Sequence, residues 1–173
     1  MRKTAVLLTI LVLAAWSSAA EGEWKEVSSR EGRCRARFPG TPTETERTLN
    51  GLPTKRYSWT DAQNRGIYTL IYFVLPESAR NETPQQSEQR VKSARDTYVN
   101  NASTKLLSEK PLTLDGKYKG LEMLVESAEK RALMRIRLFV VGDRIYSLTA
   151  VGRKELIEAP ETQKFFDSFE LLK

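Results

Sequence analysis

Three glycine-containing pairs set between runs of alternating polar and apolar residues constrain this chain most: Asn50-Gly51, Asp115-Gly116 and Gly142-Asp143. Asn-Gly and Asp-Gly tolerate the positive φ angles of tight hairpins, and Gly-x suits the related turn whose first residue alone is left-handed. Period-two alternation turns one side of each flanking run inward. Strands are expected over residues 23–27, 34–38, 44–49, 54–60, 67–75, 106–114, 118–127, 132–141 and 144–151. The run at 67–75 is almost wholly apolar and reads as a central strand covered on both faces. Pro39-Gly40-Thr41-Pro42 and Pro76 act as stops, because proline cannot continue a ladder.

Two segments break the period. Thr83, Pro84 and Gln86 form a Thr-x-x-Gln start, with Ser87, Val91, Ala94 and Tyr98 following at helical spacing and Asn100-Asn101 as a stop. Pro160 opens a second helix whose apolar face is Thr162, Phe165, Phe166 and Phe169. Strands, helix, strands, helix, with nearly every strand connection a tight hairpin, define an α+β class: a largely antiparallel sheet of about seven to nine strands flanked by two main helices.

The last hairpin can be registered. With Gly142 and Asp143 as turn residues, Val141 faces Arg144. One face then carries Val140, Leu138, Ile136 and Met134 opposite Ile145, Ser147, Thr149 and Val151, and is expected to be core. The other carries Phe139, Arg137 and Arg135 opposite Tyr146, Leu148 and Ala150, with a guanidinium expected to stack on Tyr146.

The N-terminus reads as a signal for export. Arg2-Lys3, an apolar run over residues 5–15 and Ser18-Ala19-Ala20 follow the order of a secretory signal peptide, with cleavage between Ala20 and Glu21. The apolar run is short for a bilayer crossing. Residues 21–173 are then one domain, periplasmic or secreted, with no further apolar stretch of transmembrane length. Loss of Arg2 and Lys3 lowers the formal net charge from +6 to +4, which is not the profile of a dedicated nucleic-acid binder. Cys34 is the single cysteine, so no internal disulfide forms. It shares a strand face with Ala36 and Phe38 and reads as a small buried hydrophobe.

Catalytic chemistry is scarce. The chain lacks histidine, which removes the Ser-His-Asp and Cys-His arrangements and the usual zinc and copper ligand sets. Ser127-Ala128-Glu129-Lys130 matches S-x-x-K, but in an expected turn and without its partner motifs. Glu44 with Glu46, and Glu122 with Glu126, share strand faces, and nothing in their spacing builds a cleft. Asp61 and Asn64 supply too few oxygens for a calcium loop. No catalytic, metal or cofactor residue is assigned. The remaining candidates are basic: Arg33, Arg35 and Arg37 on one expected strand face, and Lys130, Arg131, Arg135 and Arg137 further on. If these adjoin, they form a surface for an anionic polymer, a lipid headgroup or an acidic protein.

Phe38-Pro39-Gly40-Thr41-Pro42, the stretch from Arg135 to Gly152 and the C-terminal Phe165 to Leu172 together resemble small exported bacterial proteins of the PsbP-like fold superfamily. That superfamily includes the photosystem II accessory protein and a Ran-binding nuclear-transport factor. The resemblance implies an α/β/α sandwich and a non-enzymatic accessory role. It transfers no functional residue, because the matched positions are turns and core strands. Three functions follow in order: an exported accessory domain binding a protein or envelope component, a binder of anionic polymers or membrane surfaces, and a carboxylate-based hydrolase.

Overall fold

The computed structural model describes residues 23–62, 65–100, 103–128 and 132–173. Seven strands form the larger sheet: β3 (Thr43–Leu49), β4 (Leu52–Thr60), β5 (Gly66–Val74), β6 (Thr104–Leu114), β7 (Tyr118–Ser127), β8 (Ala132–Val141) and β9 (Arg144–Gly152). They are ordered β3-β4-β5-β9-β8-β7-β6, with every neighbouring pair antiparallel. A smaller sheet joins β1 (Lys25–Ser29), β2 (Cys34–Phe38) and the two-residue β10 (Glu170–Leu171) in the order β1-β2-β10. The helices are α1 (Pro84–Val99), the single-turn α2 (Lys154–Ile157) and α3 (Pro160–Asp167), with a short 3-10 helix at Glu77–Asn81. Among the described residues no helix is long and apolar enough to cross a membrane.

Turn chemistry explains the hairpins. Asn50 and Gly51 take φ of 52° and 77°, the left-handed pair that matches the twist of the flanking strands. At the β8–β9 turn only Gly142 is left-handed, with φ of 55°, and Val141 pairs with Arg144 as the register required. The α1 capping box is complete: Gln86 N donates to Thr83 Oγ1 at 3.3 Å, and Thr83 N donates to Gln86 Oε1 at 2.7 Å.

Both faces of the large sheet are core, as a sheet flanked by helices requires. On the α1 side, Met123, Val125, Ile136 and Leu138 are buried beneath Ala94, Tyr98 and Val99. Tyr98 Oη lies 2.8 Å from Ser147 Oγ. The opposite face, which also bears Arg135 and Arg137, carries the larger cluster. Tyr68, Leu70, Tyr72, Phe139, Tyr146 and Leu148 pack against Cys34, Ala36 and Phe38 of β2 and Phe165 and Phe166 of α3. Phe165 makes tilted ring contacts with Phe38 and Tyr68, both at 5.1 Å between centroids. Arg135 and Arg137 sit on this face because Phe166 covers both: each guanidinium lies 5.0 Å from its ring centroid, so the stacking partner is Phe166 and not Tyr146.

Other boundaries differ for local reasons. The first strand runs to Ser29 rather than stopping at Val27, because Ser29 Oγ accepts from Gly32 N at 2.9 Å and meets Tyr72 Oη at 3.0 Å. The C-terminal helical region is two helices, broken where Ala159 before Pro160 is held extended at ψ of 146°. The strand β10 has no period of its own, and pairs with β2 only because α3 delivers it there.

Candidate binding groove

The α1 stripe is narrow, so the helix rests chiefly on β7 and β8 and leaves the edge strand β6 partly uncovered. A groove of about 610 Å³ opens there. Val91 of α1, Pro111 and Leu112 of β6 and Leu121 of β7 give it apolar walls, and Lys92 and Arg95 stand on its helical bank. A second hollow of about 470 Å³ continues past it toward Tyr118, Val140 and the 3-10 helix. Glu88 and Lys119 line both hollows and form an ion pair at their junction.

The free edge of β6 is a poor template for strand addition. Pro111 removes an N–H, Lys105 and Lys110 place charge along the strand, and the register shifts between Leu106 and Ser108. These features discourage edge-to-edge pairing, so the groove rather than the strand edge is the available contact surface in this region.

The arginines singled out in the sequence do not form one face. Arg33 is not in β2: it closes the preceding turn with φ of 47° and lies 3.7 Å from Asp143. Arg35 and Arg37 point outward from the small sheet, because Cys34, Ala36 and Phe38 point inward. Arg35 pairs with Glu170, and Arg37 with Glu26 at 3.5 Å. Arg135 and Arg137 lie in another layer, between the large sheet and α3, with side chains 18% and 13% exposed. Lys130 and Arg131, like the Ala20–Glu21 cleavage site, lie outside the described residues.

Three of the four paired carboxylates, Glu44, Glu46 and Glu122, are committed to neighbours. Glu122 is buried and bonded to Arg137 at 2.6 Å, Lys110 at 2.9 Å and Arg135 at 3.0 Å. Burial alone would raise its pKa, but these three cations outweigh it and hold the carboxyl at about 2. Such a group stays ionised and cannot act as a general acid near neutral pH. Glu44 and Glu46 both bind Lys55, at 2.9 and 2.6 Å. Asp61 is taken in a bidentate pair by Arg65, with both contacts at 3.0 Å. Cys34 is 1% exposed, and burial pushes its thiol up to about 12, partly offset by Arg144; such a thiol is a poor nucleophile.

Sequence reasoning passed over Lys92, Lys117 and Lys119. Each is an ordinary exposed lysine in the linear pattern, and only the packing of α1 against the β6–β7 hairpin places them beside an apolar hollow.

The chain has the PsbP-like fold. It superposes on the solution structure of cyanobacterial PsbP (CyanoP) from Synechocystis sp. PCC 6803 with a TM-score of 0.58 and 14% identity, covering 92% of this chain and 98% of that one. Two crystal structures match more loosely. One is a protein of unknown function, PA94, from Pseudomonas aeruginosa, with a TM-score of 0.45, 6% identity and coverage of 79% and 87%. The other is from Bacteroides thetaiotaomicron VPI-5482, with a TM-score of 0.44, 13% identity and coverage of 86% and 48%. No protein-family model matches the chain, and no curated protein matches it.

Proposed function

We propose that this protein is an exported, non-enzymatic accessory domain that binds a partner protein in the groove between α1 and the β6–β7 hairpin. Export rests on the segment from Met1 to Ala20, with residues 21–173 as the working domain. The observation that carries the binding role is the groove itself. It is an open hollow of about 610 Å³ with Val91, Pro111, Leu112 and Leu121 in its walls, and its ion-paired rim fixes a shape before any partner arrives. The PsbP-like fold suits such a role, and the commitment of Glu44, Glu46 and Glu122 to cations argues against a carboxylate-based hydrolase.

Site-specific photo-crosslinking tests this reading. A crosslinker at Thr113, on the groove, should capture a defined adduct in envelope fractions, and one at Thr45, on the far edge strand, should not. Leu121→Glu should abolish the adduct while leaving the circular dichroism spectrum unchanged. Identical adducts at both positions, or an adduct that survives Leu121→Glu, would show that the groove is not the contact surface.

A further inference from the structure

The Phe38-Pro39-Gly40 stop that ends β2 also positions an aromatic ring. A Cβ at Gly40 would lie 2.5 Å from Trp59 Nε1, so glycine is what lets the chain pass along the nitrogen edge of the indole. Tyr68 backs the same ring at 5.7 Å between centroids, and its own Oη is held 2.8 Å from Thr162 Oγ1. Trp59 is therefore fixed from two sides, yet it is only half-buried, and with Pro39 it lines a hollow of about 540 Å³. Leu156 of α2 completes the apolar lining. It is seated where Gly66 pairs with Gly152, and a Cβ on Gly66 would lie 2.6 Å from it. The hollow has the size of a small-ligand site and the usual mixture of an apolar wall with convergent polar groups.

Its rim is charged but close to balance. Arg65 holds Asp61 in a bidentate pair, with both contacts at 3.0 Å, and acts on Glu161 at longer range. Arg153 and Glu155 are exposed and make no direct ion pair among the described residues. Two guanidiniums against three carboxylates give an anion no net attraction. The rim instead sets acceptors beside donors. Carboxylates only accept and guanidiniums only donate, and a hydroxyl satisfies either. A proline-rich segment would bring rings to Trp59 but no N–H for the carboxylates, and the indole N–H that would serve a peptide carbonyl is turned to Gly40. We infer that this hollow binds a neutral sugar chain, with one pyranose ring lying by its C–H face on Trp59 and its hydroxyls meeting Arg153, Glu155 and Glu161. The inference goes beyond the partner-protein reading and uses none of the groove's residues, so either can fail without the other.

The probes are two neutral trisaccharides, one of N-acetylglucosamine and one of glucose, and a capped hexaproline peptide as the rival occupant. Each is titrated into isotopically labelled protein and followed by NMR. At least one trisaccharide should shift the Trp59 indole N–H and the amides of Gly40, Arg153 and Leu156. The Trp24 indole, whose ring lies 4.6 Å from Lys164 Nζ, should stay still. Raised salt should leave the affinity unchanged, because the ligand has no charge to screen. Trp59→Leu should weaken binding about tenfold, and Trp59→Phe, which keeps a ring face, much less. Arg153→Ala, at an exposed site, should weaken it about threefold with spectra unchanged elsewhere. Leu121→Glu, in the other groove, should have no effect. No shifts with either trisaccharide at millimolar concentration, or full binding by Trp59→Leu, would overturn the inference. Hexaproline binding more tightly than both sugars would overturn it in favour of a peptide. The Thr113 crosslink decides separately whether a protein docks in the groove.

Discussion

On the α3 face of the large sheet, Glu122 is closed in by Lys110, Arg135 and Arg137, and both guanidiniums lie over Phe166. On the α1 side, Lys92 and Lys117 flank an open groove and make no direct ion pair among the described residues, and Lys92 acts on Glu88 at longer range. The first face also anchors its covering helix from the far side, since Arg135 bonds Gln163 at 2.8 Å and Arg137 bonds Asp167 at 2.9 Å. The second holds its helix by a short apolar stripe, a capping box and ion pairs at the rim. Buried polar groups must be paired or they cost several kcal/mol, so the α3 face cannot leave charges spare. A solvated rim carries no such requirement.

The sharpest way to break this contrast is to empty the α3 face. Phe166→Ala removes a ring that is 2% exposed, covers two guanidiniums and contacts Phe165 at 5.3 Å. Truncations of this kind cost about 3–5 kcal/mol. Val91→Ala, beneath α1, removes two methyl-sized groups at about 0.8 kcal/mol each. Urea unfolding measures both. If Val91→Ala costs as much as Phe166→Ala, the α1 face is packed as tightly as its opposite and the contrast fails.

Acid sharpens the same contrast. Glu122 has a folded pKa of about 2, below its ordinary value near 4.3 in an unfolded chain. Unfolding therefore takes up a proton on the acid side. The stabilisation is fully present above about pH 5 and is lost as pH falls toward 2, with a size of about 3 kcal/mol. Glu122→Gln should lower stability at neutral pH by an amount of that order, because it leaves Arg135 half-buried without its carboxylate and Arg137 with Asp167 alone. The gap between the two proteins should close as pH approaches 2. A constant gap across the titration would show that Glu122 titrates normally in the folded protein.

How much of this was legible beforehand follows from the range of the forces involved. The hairpins were readable because a turn depends on two residues, as at Asn50-Gly51, and the β8–β9 register followed once Gly142 was placed. The α1 capping box was readable for the same reason. The inward set of β2 followed from alternation alone. The face of the larger core did not, because Arg135 and Arg137 look like a wet surface until Phe166, some thirty residues away in sequence, is folded over them. Arg33 looked like a strand residue because a left-handed turn leaves no mark when its residue is neither glycine, asparagine nor aspartate. The groove lies further still from linear pattern, since it exists only where the axis of α1 departs from the β6–β7 hairpin.

A smaller effect is expected at the start of α1. Thr83→Ala deletes the acceptor for Gln86 N and its half of the capping box, a loss of about 1 kcal/mol. Hydrogen exchange should quicken in the first turns of α1, which lead into the helical bank of the groove at Glu88 and Val91, and stay unchanged in β2 and α3. Equal acceleration on both faces would mean that the sheet couples them into one cooperative unit, so that the α1 side has no separate looseness to exploit.

The smallest effect is the most discriminating. Glu88 and Lys119 are well exposed, with side chains 42% and 70% accessible, and an ion pair in that setting is screened by salt and by water. The Lys119 ammonium sustains the Glu88 carboxyl below its usual range through a direct hydrogen bond, yet the pair joins surfaces that other contacts already hold. Lys119→Gln should leave the urea midpoint at physiological ionic strength unchanged within error, even though it cuts the ion pair at the junction of the two hollows. Glu122→Gln, which removes a carboxylate of the same type from the opposite face, should shift that midpoint plainly. Should the two substitutions prove equally costly, the rim of the groove is structural in the way the α3 face is.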